Sequence, residues 1–244
     1  MKKAVSLLMI SVLLLGLGGC GHNPAPDQTQ SPTQPTPGTE TTVPATQPQV
    51  TEPPAPVYVY EGAEEEYLLP LEDYSSEREF APEYVMIHFT SAVVPHPEDP
   101  YNMDYVRSVF VDYNVSIHYI IDRDGTVRCY IPEDRVAWHA GKGQWKDDPK
   151  YTNTMNRYSI GIELVGMGSE KDMSIYMSSA AYSKLDDALK GFTSSQYDAL
   201  KLLVSDLCDR YDIPMDREHV IGHQEYSPHK TDPGELFDWD RIIP

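Results

Sequence analysis

Two histidines and one aspartate supply the residue types of a metal centre. His223 and Asp232 lie close together in the C-terminal segment GHQEYSPHKTDPG, and His88 lies far upstream in VMIHFT. Two imidazoles and one carboxylate can hold Zn²⁺ while leaving its fourth position to water, the arrangement of catalytic zinc sites. Lys230, two residues before the aspartate, adds a cation where a developing oxyanion would need one. These residues predict a hydrolase.

Two predicted strands would position part of this chemistry. Residues 84–90 and 159–165 both show apolar side chains at every second position, which is the period of a strand. His88 and Glu163 fall on the polar faces of these two strands. We therefore expect both side chains to look out from the same side of one sheet, with Gly161 keeping that surface clear for a ligand.

The remaining elements follow from the same kinds of pattern. We expect helices over 101–114 and 194–211 and two hairpin strands over 116–122 and 126–131. A last short strand is expected over 219–222, ending at His223. Residues 166–192 are expected to be irregular, with a short helix around 180–189. Thr193 or Ser194 would cap the second helix. Because helices alternate with strands that include a hairpin, we expect an α/β fold, a single domain with a mixed central β-sheet flanked by helices.

Charge and cysteine content narrow the class of protein. The chain has 244 residues and a formal net charge of −19, which argues against nucleic acid as a partner. Cys129 and Cys208 are expected to be two separate buried thiols, although an extracytoplasmic location would permit a disulfide. No metal-type cysteine spacing is present.

The N-terminus predicts export and a lipid anchor. Residues 1–19 have the layout of a secretory signal and end in Leu-Gly-Gly before Cys20, which resembles a bacterial lipobox with Cys20 as the lipidated residue. The alternative is an ordinary cleaved signal peptide. Residues 20–57 comprise Cys20 and a linker rich in Pro, Thr and Gln that we expect to be disordered. The protein would then be a lipoprotein attached to the bacterial cytoplasmic membrane and exposed outside it, with residues 58–244 as its domain (core 84–240).

Five motifs, at suitable spacing, carry a resemblance to a known family. In chain order they are IHFT, SIHYIIDRDGTV, PEDRVAWHAG, NRYSIGIELVG and GHQEYSPHKTDPGELFDW. Together they resemble the type 2 N-acetylmuramoyl-L-alanine amidases, relatives of the peptidoglycan recognition proteins. The resemblance runs from about residue 84 to residue 239 and implies cleavage of the amide that joins N-acetylmuramic acid to L-alanine of the stem peptide.

The resemblance also implies a role for each matching residue. His88, His223 and Asp232 match the zinc ligands of the family, Glu163 its acid/base residue, and Lys230 the lysine that stabilises the transition state. The expected cofactor is therefore Zn²⁺, and the expected partner is peptidoglycan or a muropeptide bound by a monomer. Without the resemblance, Asp232 could equally well cap a turn before Pro233.

Substrate contacts are predicted for four further residues. Trp138 and His139 resemble a substrate-facing segment, His118 would line the cleft or support a zinc ligand, and Asn156 precedes the strand that carries Glu163. One feature departs from the family pattern, which often has an arginine immediately before the lysine. Here His229 precedes Lys230 and the motif is one residue shorter, which puts recognition of acidic stem-peptide groups in doubt.

Two other functions compete with the zinc amidase. One is a non-catalytic peptidoglycan-binding module, which would keep the groove without the chemistry; the complete set of ligands and catalytic residues argues against it. The other is a zinc hydrolase that acts on a different amide, such as a peptide bond.

Overall fold

The computed structural model of the protein describes residues 58–64, 69–90 and 92–243. Within these ranges the strands are β1 (Ala63–Glu64), β2 (Ser75–Glu77), β3 (Tyr84–Phe89), β4 (Tyr119–Ile121), β5 (Val127–Cys129), β6 (Arg135–Ala137), β7 (Ser159–Leu164) and β8 (Val220–Gly222). The α-helices are α1 (Leu71–Tyr74), α2 (Met103–Tyr113), α3 (Glu170–Met173), α4 (Ser179–Tyr182), α5 (Ser194–Tyr211) and α6 (His223–Tyr226). The predictions for the leader, Cys20 and the linker lie outside the described residues.

A mixed sheet forms the centre of the domain, with the strand order β1-β5-β4-β7-β3-β8. Strands β4, β7, β3 and β8 run parallel, whereas β5 pairs antiparallel with β4 through the predicted hairpin. A separate antiparallel pair joins β2 to β6. Helices pack on the mixed sheet, which confirms the predicted fold class.

Helix α5 covers one face of the sheet. It spans the predicted residues and begins at a capping box, in which the Thr193 hydroxyl accepts from the Gln196 amide. Its apolar stripe, which includes Leu200, Leu203 and Leu207, packs against Ile87 and the other inward-facing strand residues. Cys129 and Cys208 are both buried in this cluster as free thiols, which confirms the prediction of two separate thiols.

The opposite face of the sheet is covered in part by α2. This helix begins at Asn102, whose side chain accepts from the Asp104 amide, and it buries Val106 and Phe110 against Ile120 of β4. Met86 of β3 packs in another apolar cluster on the far side. Polar residues of β3 and β7 are therefore left between two apolar clusters on this face.

Two regions differ from the sequence expectation. The strands β2 and β6 were not predicted, because each has three residues and neither shows an alternating pattern. Residues 166–192, expected to hold one short helix around 180–189, contain α3, α4 and a 3₁₀ turn at Asp187–Leu189, and a bridge between Met167 and Gly191 closes the segment at its base.

None of the helices in the described part of the chain combines the length and the apolar character that a bilayer crossing requires.

Candidate active site

Three side chains from distant parts of the sequence converge on the polar face of the sheet. His88 lies on β3, His223 is the first residue of α6 directly after β8, and Asp232 lies in the loop that follows α6. The Nδ1 atoms of the two histidines are 3.0 Å apart, and each lies 2.9 Å from Oδ2 of Asp232. All three residues are buried, with 2%, 2% and 5% of their surface exposed. The structure therefore brings together the three residues that the sequence proposed as ligands.

Hydrogen bonds to the Nε2 atoms of His88 and His223 determine that the Nδ1 atoms, which point toward Asp232, carry no proton. Nε2–H of His223 donates to the carbonyl oxygen of Ala140 at 3.0 Å, and a carbonyl can only accept. The Ser159 hydroxyl donates to the Met155 carbonyl at 2.7 Å and so accepts from Nε2–H of His139 at 3.3 Å. Nδ1 of His139 is then the acceptor for Nε2–H of His88, at 3.0 Å. Each neutral ring therefore directs the lone pair of its Nδ1 at the other ring and at Asp232.

This arrangement fits a metal ion. Three electron-rich atoms in mutual contact repel one another unless a cation lies among them. Tetrahedral Zn²⁺ with bonds of about 2.0–2.2 Å holds its ligand atoms roughly 3.3 Å apart, close to the spacing found here. Among the described residues, this is the group of His, Cys, Asp and Glu side chains that could share one ion.

Electrostatics keep His88 and Asp232 in the protonation states that metal binding requires. Burial, together with the neighbouring charge of His223, lowers the pKa of His88 to about 4. Burial acts to raise the pKa of Asp232, but His223 and His88 outweigh it and hold that pKa well below its usual range. The aspartate is therefore ionised and His88 neutral at physiological pH, and metal binding would release few protons.

Glu163 lies beside this group. Strands β3 and β7 pair in parallel with His88 opposite Glu163, so both side chains leave the sheet on the same face, as the two-residue period predicted. Oε2 of Glu163 is buried and has no hydrogen-bond partner in the described structure. Burial first, and the charge of Asp232 second, raise the pKa of Glu163 well above its usual value, while Lys230 opposes the shift. A carboxyl group with a raised pKa is suited to take up a proton and return it during a reaction.

Lys230 lies at the exposed edge of the site. Its backbone amide donates to the Ser227 carbonyl at 3.0 Å, which forms the turn that precedes Asp232. Its ammonium charge acts on both Glu163 and His88. The cation therefore lies near enough to His88 and Glu163 for its charge to act on both, while its side chain remains exposed.

This geometry can be compared with known proteins. The N-acetylmuramoyl-L-alanine amidase family (Amidase_2) matches residues 78–235. The chain belongs to this family.

Two curated relatives from Escherichia coli K12 extend the comparison. The 1,6-anhydro-N-acetylmuramyl-L-alanine amidase AmpD is 36% identical over 129 residues, which cover 52% of this chain and 56% of AmpD. The N-acetylmuramoyl-L-alanine amidase AmiD is 29% identical over 166 residues, which cover 65% of this chain and 51% of AmiD. The chain thus spans about half the length of these relatives.

Solved structures of the same family share the fold. A selenomethionine derivative of AmpD superposes with a TM-score of 0.52 at 26% identity, covering 73% of this chain and 96% of that one. AmiD from E. coli, in complex with the substrate anhydro-N-acetylmuramic acid-L-Ala-D-γ-Glu-L-Lys, gives a TM-score of 0.50 at 28% identity, covering 66% of this chain and 56% of that one. These matches support the assignment of the mixed sheet and its helices to the amidase fold.

The dipeptide His139-Ala140 forms hydrogen bonds with both histidines of the group His88, His223 and Asp232. The His139 ring contacts His88, and the Ala140 carbonyl accepts from His223. The second nitrogen of His139, Nε2, lies 3.3 Å from the Ser159 hydroxyl, so both ring nitrogens are engaged within the protein. The sequence proposed His139 as a substrate contact; the structure places its ring against that of His88, and substrate contact by His139 stays a prediction.

Asn156 in turn holds this dipeptide. Its Oδ1 accepts from the backbone amides of His139 at 3.0 Å and of Ala140 at 2.7 Å. The Oδ1 atom of Asn156 therefore holds the main chain of the two residues that contact His88 and His223, and substrate contact by Asn156 stays a prediction.

His118 was expected to line the cleft or to support a zinc ligand, and its position in this structure fits the second role, because its ring centroid lies 5.7 Å from that of His139. The residue is fully buried, and its Nδ1 accepts from the Gly161 amide at 3.0 Å while Nε2–H donates to the Arg135 carbonyl at 3.1 Å. The role predicted for Gly161 needs correction. A Cβ on Gly161 would lie 2.6 Å from Cγ of His139, so this glycine makes room for the supporting imidazole rather than for a ligand.

Trp138 is partly exposed beside this support. Its backbone amide donates to the Ser116 hydroxyl at 2.7 Å, and its carbonyl accepts from the Ser116 amide at 3.1 Å. These bonds fix the main chain of Trp138, and substrate contact by its ring stays a prediction.

Sequence reasoning did not find Arg78. Its guanidinium donates to the carbonyl oxygens of Glu133, Arg135, Arg157 and Ser159 at 2.7–3.1 Å, and so ties β6 and β7 together beneath His118. Burial lowers its pKa to about 10. The one sequence signal was an arginine within an otherwise acidic stretch.

Tyr176 was also missed. It lies in the segment expected to be irregular, where no periodicity indicates which side chains turn inward. Its ring packs edge-on to Phe89 at a centroid distance of 6.5 Å. Burial, followed by the charges of Asp232 and Glu163, raises its pKa, which places the phenol beside the site.

Proposed function

We propose that this chain is a zinc-dependent amidase that hydrolyses the bond between N-acetylmuramic acid and L-alanine in peptidoglycan or its fragments. The observation that carries the proposal is the convergence of His88, His223 and Asp232 next to a buried, unpaired carboxylate oxygen of Glu163. An ion-binding triad with an adjacent proton-transfer group is the equipment that hydrolysis of an unactivated amide needs.

Family membership supports the substrate class. AmpD is named for the 1,6-anhydro-N-acetylmuramyl-L-alanine amide, and AmiD has been solved with an anhydro-muropeptide as its substrate. We extend this class of substrate to the present chain, which shares the family fold and the ligand set.

The chain's own residues would divide the reaction as follows. When bound, the ion supplies Lewis acidity, which makes a water molecule nucleophilic at neutral pH and polarises the amide carbonyl. Glu163 would take a proton from the attacking water molecule as the water oxygen bonds to the carbonyl carbon. The same carboxyl group then returns the proton to the alanine nitrogen as the carbon–nitrogen bond breaks. The raised pKa of Glu163 suits both transfers.

Lys230 would stabilise the negative charge that forms on the carbonyl oxygen. Its ammonium group is exposed at the edge of the site and acts on the same carboxyl group that exchanges the proton. A donor aimed at a developing oxyanion contributes about 10²–10³ in rate in comparable enzymes.

Mass spectrometry of a defined muropeptide tests the proposal. The chain loaded with zinc should release intact stem peptide with a free alanine N-terminus. Chelator should stop the release and added zinc should restore it. Cleavage at a peptide bond instead would identify a hydrolase of a different amide, and binding of the muropeptide without any product would identify a non-catalytic module.

We further propose that the protein is a lipoprotein anchored outside the bacterial cytoplasmic membrane through Cys20. The support is the order of features in residues 1–20, in which two lysines are followed by an apolar run and then by Leu-Gly-Gly-Cys. In a bacterial host the protein should fractionate with membranes, and Cys20→Ala should abolish its labelling by a fatty-acid analogue. Unchanged membrane association with no labelling of the original chain would refute the anchor.

A further inference from the structure

Asp172, in the segment that the sequence left irregular, reaches the loop that carries Lys230 and Asp232. It lies on α3 and is 6% exposed. Its Oδ2 accepts from the Ser169 amide at 2.9 Å and from the Ser169 hydroxyl at 2.8 Å, which closes a capping box. The same oxygen accepts a third bond from the backbone amide of Glu235, also at 2.9 Å.

The backbone of Asp172 makes a second connection to this loop. The Thr231 hydroxyl donates to the Asp172 carbonyl at 2.9 Å. Thr231 lies between Lys230 and Asp232, the proposed oxyanion-stabilising residue and the proposed ligand. One residue therefore holds residues 231–235 at both ends.

Two glycines allow this close approach. A Cβ on Gly168 would lie 2.6 Å from the Cβ of Asp172, and a Cβ on Gly234 would overlap the Asp172 carboxylate. Gly234 also has φ of +80°, which a residue with a side chain rarely adopts. The loop and the segment are thus shaped to meet at this carboxylate.

From these contacts we propose that Asp172 is a positioning residue for the active site. It holds the loop in the conformation that presents Lys230 to the substrate and Asp232 to the metal ion. The inference rests on the proposed function and deepens it, because it assigns residues 168–176 a task in the same site. The exposed ion pair between Lys171 and Glu235 lies alongside but contributes little by itself.

The geometry indicates why this bond matters more than an ordinary helix cap. A charged carboxylate that accepts from a backbone amide forms one of the stronger protein hydrogen bonds. The other backbone hydrogen bonds of the loop, from Gln224 N to Asp232 O and from Lys230 N to Ser227 O, come from residues close in sequence, and the Tyr176 side chain also reaches Thr231. These backbone bonds shape the turn, whereas Asp172 joins the turn to the body of the domain.

Paired substitutions at Thr231 test the proposal without disturbing the buried aspartate. Thr231→Val removes the hydroxyl at nearly constant volume, and Thr231→Ser retains it. The valine variant should bind zinc about 10–100-fold more weakly in a chelator competition, as for other residues that orient ligands. It should also lower kcat by about 10-fold with KM nearly unchanged, and the serine variant should restore both quantities. Asp172→Asn, which loses the charge, should shift zinc affinity and kcat in the same direction as the valine variant.

A matched control lies in the same segment. Asp186 is exposed, caps the 3₁₀ turn by accepting from the Ala188 amide at 2.9 Å, and does not contact the loop. Asp186→Ala should leave zinc affinity and kcat unchanged. Equal effects of Asp186→Ala and Thr231→Val, or no effect of Thr231→Val on zinc affinity and kcat, would overturn the proposal.

Amide hydrogen exchange separates this inference from the proposed function. In the metal-free chain, the Glu235 amide should be protected in the original protein and exchange at least 10-fold faster in Asp172→Ala, which removes the acceptor oxygen that asparagine would keep. If this variant loses the protection but neither it nor the original protein cleaves muropeptide, Asp172 does position the loop and the proposed function is wrong. If the Glu235 amide is unprotected in the original protein, the proposed positioning of the loop by Asp172 is refuted.

Discussion

Replacing Glu163 by glutamine should make the protein more stable and nearly inactive. The carboxylate oxygen Oε2 is buried without a hydrogen-bond partner, and an unpaired buried charge costs more than an unpaired neutral polar group. Glutamine keeps the shape and leaves a polar group in place but removes the charge, so we expect the free energy of unfolding at pH 8 to rise by about 1.4 kcal/mol for each unit by which burial raises the pKa of Glu163. For a domain of this size, each kcal/mol corresponds to roughly 2–4 °C in Tm.

The sign of the pH dependence follows from the raised pKa of Glu163. At pH values below the pKa of the unfolded state, the carboxyl group is protonated in both states and costs nothing extra. As pH rises, the unfolded state ionises first, and the folded state loses stability until Glu163 itself ionises. The stability advantage of Glu163→Gln should therefore be absent near pH 4 and larger at pH 8, and it should level off above the pKa of Glu163 in the folded state.

Denaturant unfolding of the metal-free chain at both pH values measures this difference. Turnover of a muropeptide by the zinc-loaded chain should fall by about 10²–10⁴, because glutamine cannot transfer the proton. Glu77→Gln, at an exposed carboxylate on β2, serves as the control and should change neither quantity. A stability difference that does not vary with pH, or turnover within 10-fold of the original, would refute the reasoning.

Three further predictions address the rest of the site. Lys230→Met should lower kcat by about 10²–10³ while zinc affinity in a chelator competition stays unchanged; a parallel loss of zinc would contradict its assignment to the oxyanion. Burial lowers the pKa values of His88, His118 and His139, so the unfolded chain takes up protons that the folded, metal-free chain refuses. The unfolding free energy of the metal-free chain should fall as the pH drops from about 6.5 toward 4, by up to ~1.4 kcal/mol per pH unit for each histidine. An unfolding free energy that does not change with pH in chemical denaturation would exclude neutral buried rings. Asn156→Leu should weaken zinc binding about 10–100-fold, and Asn156→Asp, which keeps the acceptor oxygen, should restore it; equal binding by both variants would show that the dipeptide needs no anchor.

Local patterns were sufficient for the main elements. The bounds of α5 agree with the prediction because its start and apolar stripe are encoded within a few residues, in the cap Thr193, the partner Gln196 and the three-and-four repeat of leucines. The alternating strands placed His88 and Glu163 on one face for the same reason, since a period of two is a local property. The short strands β2 and β6 have no such pattern, and their pairing joins residues about 60 positions apart.

The sequence by itself determined which residue types were available for chemistry and which face of each strand they occupy. Only the tertiary structure decided that β3 and β7 are neighbours, that His139 and Asn156 turn inward to support the imidazoles, and that Asp172 meets the loop of Asp232. The physical reason is that a hydrogen bond between residues far apart in sequence depends on packing and register. Packing and register produce no periodic pattern in the sequence around the residues that form such a bond.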